Sequence, residues 1–270
     1  MSSPESRSLT VDGGALSWRE RGQGTALVLI HGIGGSSESW RPVFERFSAR
    51  HRVFAWDAPG YGASDLLEDV ATAGAYADRL AALLRDEKIG RAHLVAHSIG
   101  SPIAAALSGA GGISVETLTL VHPVAGFGGL AQQQRTELRA ARLADIEGMT
   151  MQAFGEIRAP QILGRAADAS IAAEAARIIA AIPEAGYRAM VEVMASADLI
   201  AALPGLRVPT LVIAGGDDTV APPQSCQAIA ESLPEGSLET YQGIGHYMML
   251  EAPGLFVDRL EKFLAAGIGR

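Results

Sequence analysis

Cysteine is almost absent from this 270-residue chain, in which Cys226 is the only one. A single thiol cannot form an internal disulfide, and no spacing of cysteine and histidine is typical of a zinc site. We therefore predict that Cys226 is a buried small side chain rather than a reactive thiol. Because 48% of the residues are hydrophobic, the chain can bury a large core without covalent cross-links.

Long apolar runs and clusters of positive charge are also missing. No run reaches the roughly 18 apolar residues that a membrane span needs, and the amino terminus MSSPESRSLTV has no apolar core of a secretory signal. The net charge is −8, and no group of lysines and arginines could follow a phosphate backbone. We predict a cytoplasmic protein that acts on a small molecule and binds neither nucleic acid nor membrane; the sequence does not indicate an oligomeric state.

Five short apolar runs are present instead: ALVLIHG, RVFAWDAPG, AHLVAHS, TLTLVHP and TLVIAGG. Each is typical of a strand buried on both faces, and a hairpin around the turn 12–14 is predicted before them. Segments with helical spacing lie between most of the runs, such as residues 75–90, where we expect Gly90 to end the helix. This alternation predicts an α/β fold with a doubly wound, mostly parallel sheet.

One long interval breaks the alternation. From Pro123 to Arg207 no strand pattern is evident, and alanine-rich stretches such as ASIAAEAARIIAAI favour helix. We predict that residues 123–207 form a helical cap inserted into a core made of residues 1–122 and 208–270. The alternative, in which these helices only cover a face of the sheet, remains open.

The run AHLVAHS ends abruptly at Ser98, which is followed by Gly100. Ser98 could cap the next helix, or it could be a nucleophile on a tight turn between strand and helix. A serine nucleophile needs a base that takes its proton and a third group that orients the base. Candidates follow later strands: Asp217 and Asp218 in GGDDTVAPP, and His246 in GIGHYMML.

These motifs, together with LVLIHGIGG and WDAPGYGASD, are similar to those of the serine-nucleophile branch of the α/β-hydrolase superfamily. The resemblance covers almost the whole chain except the predicted cap. It implies an α/β-hydrolase fold with Ser98 as the nucleophile, His246 as the base and Asp218 as the orienting acid. The turn departs from the pattern G-x-S-x-G because Ala96 stands at its first position, where a small residue still fits.

The resemblance also implies which aspartate is the acid and which backbone amides bind the oxyanion. Asp218 is preferred to Asp217 because the family's acid lies three residues after a loop glycine and four before a proline. The backbone amides of Ile33 and Ile99 are implied as the donors that stabilise the oxyanion. No cofactor or metal is implied, since the segment GIGG lacks the last glycine of a dinucleotide-binding loop.

Other histidines near these motifs are assigned structural roles. We expect His31 to order the oxyanion loop, and His97 to be packed or hydrogen-bonded beside Ser98. No motif surrounds His51, His93 or His122, and we expect these three side chains to be structural as well.

A serine at the turn favours acyl chemistry, because the dehalogenases and epoxide hydrolases of this fold use an aspartate there. The chain resembles small esterases, enol-lactone hydrolases and meta-cleavage-product hydrolases. We predict hydrolysis of an ester or lactone bond in a small, largely apolar carboxylic substrate, through an acyl-enzyme on Ser98. One alternative is a carbon–carbon bond hydrolase of a vinylogous diketone acid, although that group usually has tryptophan and asparagine where this chain has Tyr247 and His97. Another is a ligand-binding receptor with slow turnover.

Substrate contacts are harder to predict from sequence. Met194, Met248 and Tyr247 are candidates for an apolar pocket, with core packing as the alternative. Arg158 and Arg165 could each meet a substrate carboxylate or be solvated surface residues.

Overall fold

The computed structural model describes residues 4–267, and an eight-stranded sheet forms its centre. The strands are β1 (Glu5–Val11), β2 (Gly14–Arg21), β3 (Ala26–Ile30), β4 (Arg52–Asp57), β5 (Arg91–His97), β6 (Ser114–Val121), β7 (Thr210–Gly215) and β8 (Gly236–Tyr241). Their spatial order is β1-β2-β4-β3-β5-β6-β7-β8. The pairings of β2 with β1 and with β4 are antiparallel, and all the others are parallel. The predicted mostly parallel sheet is confirmed.

The burial of each strand follows its place in the sheet. Every residue of β3 and β7 is buried, as expected of strands covered on both faces. The edge strands differ, because β1 is exposed along six of its seven residues and β8 is buried only in part. Charged and polar side chains on edge strands limit pairing with other chains.

The helices are α1 (Arg41–Phe47), α2 (Ala73–Asp86), α3 (Gly100–Gly109), α4 (Gln132–Ala144), α5 (Met151–Ile162), α6 (Ala169–Ala180), α7 (Glu184–Ser196), α8 (Leu199–Ala202), α9 (Pro223–Glu231), α10 (Met248–Glu251) and α11 (Pro253–Gly267). Helices α2 and α3 pack against each other, as do α1 and α11, and both pairs contact strands of the sheet. None of the helices between residues 4 and 267 has both the length and the apolar character needed to cross a bilayer.

Helix α2 ends earlier than predicted. The last helical residue is Asp86, and Lys88, two residues before Gly90, takes the left-handed conformation with φ +59°. The amide of Ile89 then donates to the carbonyl of Leu84, which closes the turn. The prediction of Gly90 as the stop was wrong because a lysine can adopt this conformation at a modest cost.

Five α-helices, α4 to α8, lie between β6 and β7, and the structure has no strand within residues 123–207. Helix α7 approaches the core closely, since a Cβ atom on Gly186 would lie 2.2 Å from the carbonyl oxygen of Gly60. Only glycine permits this approach. The division into a core of residues 1–122 and 208–270 and a cap of residues 123–207 stays a prediction, and α4–α8 are called the inserted helices below.

Cys226 on α9 is fully buried, as predicted. Burial raises the pKa of its thiol to about 12, so the thiolate that reacts with electrophiles is disfavoured.

Candidate active site

Ser98 stands on a sharp turn between β5 and α3. Its φ is +55°, a conformation that is uncommon for residues other than glycine and that is found at functional sites. The turn is crowded, because a Cβ atom on Gly100 would lie 2.7 Å from the carbonyl oxygen of Ile30. Helix α3 begins without a side-chain cap, so the interpretation of Ser98 as a helix cap was wrong. Its hydroxyl is directed to His246 instead.

Ser98, His246 and Asp218 form a continuous hydrogen-bonded path. The distance from Ser98 Oγ to His246 Nε2 is 2.9 Å, and the distance from His246 Nδ1 to Asp218 Oδ2 is 2.7 Å. All three residues are at most 5% exposed. A proton on Nδ1 donates to the carboxylate and leaves Nε2 free to accept the serine proton, which is the tautomer that nucleophilic catalysis requires.

The carboxylate of Asp218 is held from both sides. Its Oδ1 accepts hydrogen bonds from the amides of Val220 and Ala221, at 2.8 and 2.9 Å, while Oδ2 faces His246 and His122. Burial opposes ionisation, but the hydrogen bonds to the two histidines hold the pKa of Asp218 well below its usual range. Asp218 is therefore an ionised carboxylate in the folded protein.

Asp217 points elsewhere. Its carboxylate accepts hydrogen bonds from Nε and Nη2 of Arg165, at 2.8 and 2.7 Å. The side chain of Arg165 is 77% exposed. The structure thus brings Asp218, and not Asp217, to His246. Arg165, one of the two arginines predicted as possible substrate contacts, forms an ion pair with Asp217 instead.

His122 contacts the site although no sequence motif surrounds it. Its Nδ1 lies 3.1 Å from Asp218 Oδ2 and 3.2 Å from the amide nitrogen of Gly215. In the tautomer with a proton on Nδ1, this nitrogen donates to the carboxylate of Asp218. In the other tautomer, Nδ1 accepts from the amide of Gly215. One signal was available, because His122 directly follows β6 at the sheet edge where Ser98 follows β5. Burial lowers the pKa of His122, so the ring is neutral at physiological pH.

The close approach of His122, Asp218 and His246 also puts three possible metal-ligand atoms within 4.8 Å of one another. Hydrogen bonds within the group account for this proximity, and His246 Nε2 is directed to Ser98.

The loop that carries Ile33 is anchored by aromatic hydroxyls. Tyr61 Oη donates to the carbonyl of Ile33 at 2.9 Å, and Tyr247 Oη donates to the carbonyl of Gly34. Within residues 4–267, the amides of Ile33 and Ile99 donate no hydrogen bond to another residue. Both amides are therefore available to an external acceptor.

The two structural histidines of this region behave as expected. His31 Nε2 accepts from the amide of Ala58 at 3.0 Å and so ties the loop that carries Ile33 to the turn after β4. His97 Nε2 donates to the carbonyl of His246 at 2.7 Å, which supports the loop that bears His246.

Glu251 anchors the same loop from the other side. Its carboxylate accepts from the amides of Gly245 and Tyr247, both at 2.9 Å, and from the amide of Gly164 at 2.8 Å. Gly164 follows α5, one of the inserted helices. The loop of His246 is therefore joined to the inserted helices through one side chain, which we call the Glu251 anchor.

A narrow cavity of about 50 Å³ opens onto Ser98 and His246. Its lining combines the catalytic candidates, aliphatic and aromatic side chains and two arginines: Ile33, Gly34, His97, Ser98, Arg142, Phe154, Arg158, Ile162, Ile179, Tyr187, Met194, Val220, His246 and Tyr247. A larger cleft of about 460 Å³ lies elsewhere, beside Glu38 and Arg177, and Ser98 is not among the residues that line it.

Of the predicted substrate contacts, Met194 and Tyr247 line this cavity and Met248 does not. Met248 is fully buried at the start of α10 and belongs to the hydrophobic core. The prediction that Met248 contacts the substrate was therefore wrong, because the short helix α10 packs this side chain into the hydrophobic core.

Comparisons with known proteins identify the family of the chain. A family model described as "Alpha/beta hydrolase family" matches residues 27–259. The (E)-2-((N-methylformamido)methylene)succinate hydrolase of Acinetobacter baylyi is 30% identical over 246 residues, which cover 87% of this chain and 88% of the relative.

Two solved structures share the fold. A thermophilic esterase from Thermogutta terrifontis superposes with a TM-score of 0.87 at 23% identity, covering 97% of this chain and 99% of the esterase. The enol-lactonase from Burkholderia xenovorans LB400 superposes with a TM-score of 0.83 at 22% identity, covering 96% of this chain and all of the enol-lactonase.

Proposed function

The chain belongs to the alpha/beta hydrolase family, and we propose that it is a serine hydrolase. In this proposal it cleaves an ester or lactone bond of a small, largely apolar carboxylic substrate through an acyl-enzyme on Ser98. The observation that carries the proposal is the path from Ser98 Oγ through His246 to Asp218 at the base of the cavity. The Acinetobacter relative, which is named as a hydrolase of a methylene succinate, supports a small carboxylic substrate.

The proposed reaction begins when Ser98 Oγ attacks the carbonyl carbon and passes its proton to His246 Nε2. The ionised carboxylate of Asp218 stabilises the imidazolium that forms. Collapse of the tetrahedral intermediate breaks the bond to the leaving oxygen, which takes the proton from Nε2. Water then attacks the acyl carbon while His246 Nε2 takes its proton. Collapse of this second tetrahedral intermediate breaks the bond to Ser98 Oγ, which takes the proton back from Nε2, and the carboxylic product leaves.

The amides of Ile33 and Ile99 are the proposed donors to the negative oxygen of each tetrahedral intermediate. Fixed donors are effective because they need not reorganise while charge develops. The hydrogen bonds from Tyr61 and Tyr247 to the oxyanion loop support this role, since they hold the carbonyls of Ile33 and Gly34, directly after the amide of Ile33.

The first test is hydrolysis of short-chain aryl esters, small lactones and a vinylogous 1,5-diketone acid. We expect Ser98→Ala to lower kcat for the preferred class by about 10³- to 10⁶-fold. The matched control is Ser101→Ala, because Ser101 is buried on α3 one turn away and its hydroxyl has no hydrogen-bond partner within the described chain. This control should keep its activity.

The panel also separates the alternatives. Cleavage of the diketone acid alone would favour carbon–carbon hydrolysis, and binding without turnover would favour a receptor. Undiminished ester turnover by Ser98→Ala would contradict the proposal. Trapping of a covalent adduct by a fluorophosphonate, seen by mass spectrometry in the wild type and absent in Ser98→Ala, supplies an independent check.

A further inference from the structure

The cavity above Ser98 contains two positive charges and no negative one. Arg142 on α4 and Arg158 on α5 line it, and of the described residues that form the lining none is acidic. The remaining side chains near the arginines are aromatic or aliphatic, such as Phe154, Ile179 and Met194. In a chain of net charge −8, a cavity with this balance points to an anionic ligand.

Arg158 differs from other arginines of the inserted helices. Arg139, Arg177 and Arg188 each form an ion pair with a glutamate. Arg158 donates only to the amide oxygen of Gln161, at 3.2 Å, and in the part of the chain that the structure describes no acidic oxygen lies within 4.0 Å of its guanidinium.

Arg158 is also half-buried and close enough to Arg142 to feel its charge. Burial and this like charge both lower the pKa of Arg158. The nearest acidic partner of Arg142 is Asp145, at 3.5 Å. Asp145 offsets part of this repulsion, but no acidic side chain of the described residues lines the cavity itself, so an anion in the cavity is attracted to both guanidinium groups.

We infer that the substrate carries a free carboxylate in addition to the bond that is cleaved, and that Arg158, assisted by Arg142, binds this carboxylate. A guanidinium matches a carboxylate through two parallel hydrogen bonds, which fixes orientation as well as charge. The inference rests on the proposed function and narrows its substrate class to short, carboxylate-bearing esters or lactones. The carboxylate itself takes no part in bond cleavage.

The test compares monomethyl succinate with methyl 4-methylpentanoate, in which a neutral branched group replaces the carboxylate. The measured quantity is the ratio of kcat/KM for the anionic ester to kcat/KM for the neutral ester. We expect this ratio to favour the anionic ester in the wild type and to fall about 10- to 100-fold in Arg158→Gln, as expected for a lost charge-assisted hydrogen bond. Arg158→Lys should restore part of the ratio.

Arg165→Gln is the matched control, because it makes the same change at an arginine that is exposed and paired with Asp217. The ratio should not change in this variant. A wild type that prefers the neutral ester, or an equal fall of both kcat/KM values in Arg158→Gln, would overturn the inference and leave the proposed function standing.

A binding experiment covers the case in which neither ester is hydrolysed. Succinate is titrated calorimetrically into the Ser98→Ala protein and into the Ser98→Ala, Arg158→Gln double variant. Binding that depends on Arg158 would support the carboxylate site even if the proposed esterase chemistry failed. Absence of binding to Ser98→Ala would overturn the site.

Discussion

Replacement of Asp218 by asparagine tests the proposed role of this carboxylate, which has hydrogen-bond partners at both of its oxygens. The two backbone amides at Oδ1 require an acceptor, so the oxygen of the new side chain should stay there. The amide nitrogen then replaces Oδ2 opposite His246 Nδ1, where the carboxylate now lies at 2.7 Å. An N–H group in that place needs an unprotonated Nδ1, which moves the imidazole proton to Nε2.

A proton on Nε2 prevents His246 from accepting the proton of Ser98. By comparison with the same substitution in serine proteases, we expect kcat to fall about 10⁴-fold, or about 5 kcal/mol of transition-state stabilisation. Asp217→Asn is the matched control, since the carboxylate of Asp217 accepts from Arg165 and from the amide of Gly243 and not from His246, and its kcat should stay within about twofold of the wild type.

The assay is kcat for the best ester of the panel between pH 6 and 9, with circular dichroism to verify folding of both variants. Because the pKa of Asp218 lies well below its usual range, the carboxylate stays ionised throughout and should contribute no inflection to the wild-type profile. Equal losses in the two variants, or a larger loss in Asp217→Asn, would refute the assignment of Asp218 as the orienting acid.

Three further predictions concern the pocket, the core and the inserted helices. Met194→Ala should shift preference toward longer acyl chains and lower the free energy of unfolding by about 2–5 kcal/mol; an unchanged chain-length profile would assign Met194 to packing alone. His93 is buried with its pKa lowered to about 4, chiefly by burial, so the unfolded chain binds its proton first and urea unfolding should show stability falling as the pH drops from about 6.5 to 4. The fall should be smaller in His93→Gln, and an equal fall would contradict this cause. Gly186→Ala should lower Tm, because its Cβ would meet the carbonyl of Gly60, and an unchanged Tm would show that α7 can move aside.

The sheet and the catalytic candidates were predictable because their signals are local. Apolar runs bounded by glycine indicate buried parallel strands, and parallel strands bring the loops at their carboxyl ends to one edge of the sheet. Ser98, Asp218 and His246 are far apart in the chain, yet each follows a strand, so topology alone brings them close.

The lining of the cavity was not predictable in the same way. Arg158 and Arg165 are seven residues apart and carry equal charge, but packing turns one toward Ser98 and leaves the other on the surface. The same holds for Met194 and Met248, of which only the first reaches the cavity. Which side of a helix faces a cavity depends on the orientation of the whole helix, and short-range patterns do not encode it.

The Glu251 anchor has a consequence for how specificity can change in proteins built this way. The connection after α5 and the loop of His246 share the carboxylate of Glu251, and the amide of His246 also donates to the carbonyl of Ile162 at the end of α5. A chimera that receives the inserted helices of another hydrolase loses both connections unless the donor segment brings an equivalent carbonyl and amide. The connection after α5 and the loop of His246 therefore form one unit for exchange, whereas none of these hydrogen bonds involves α4 or α7.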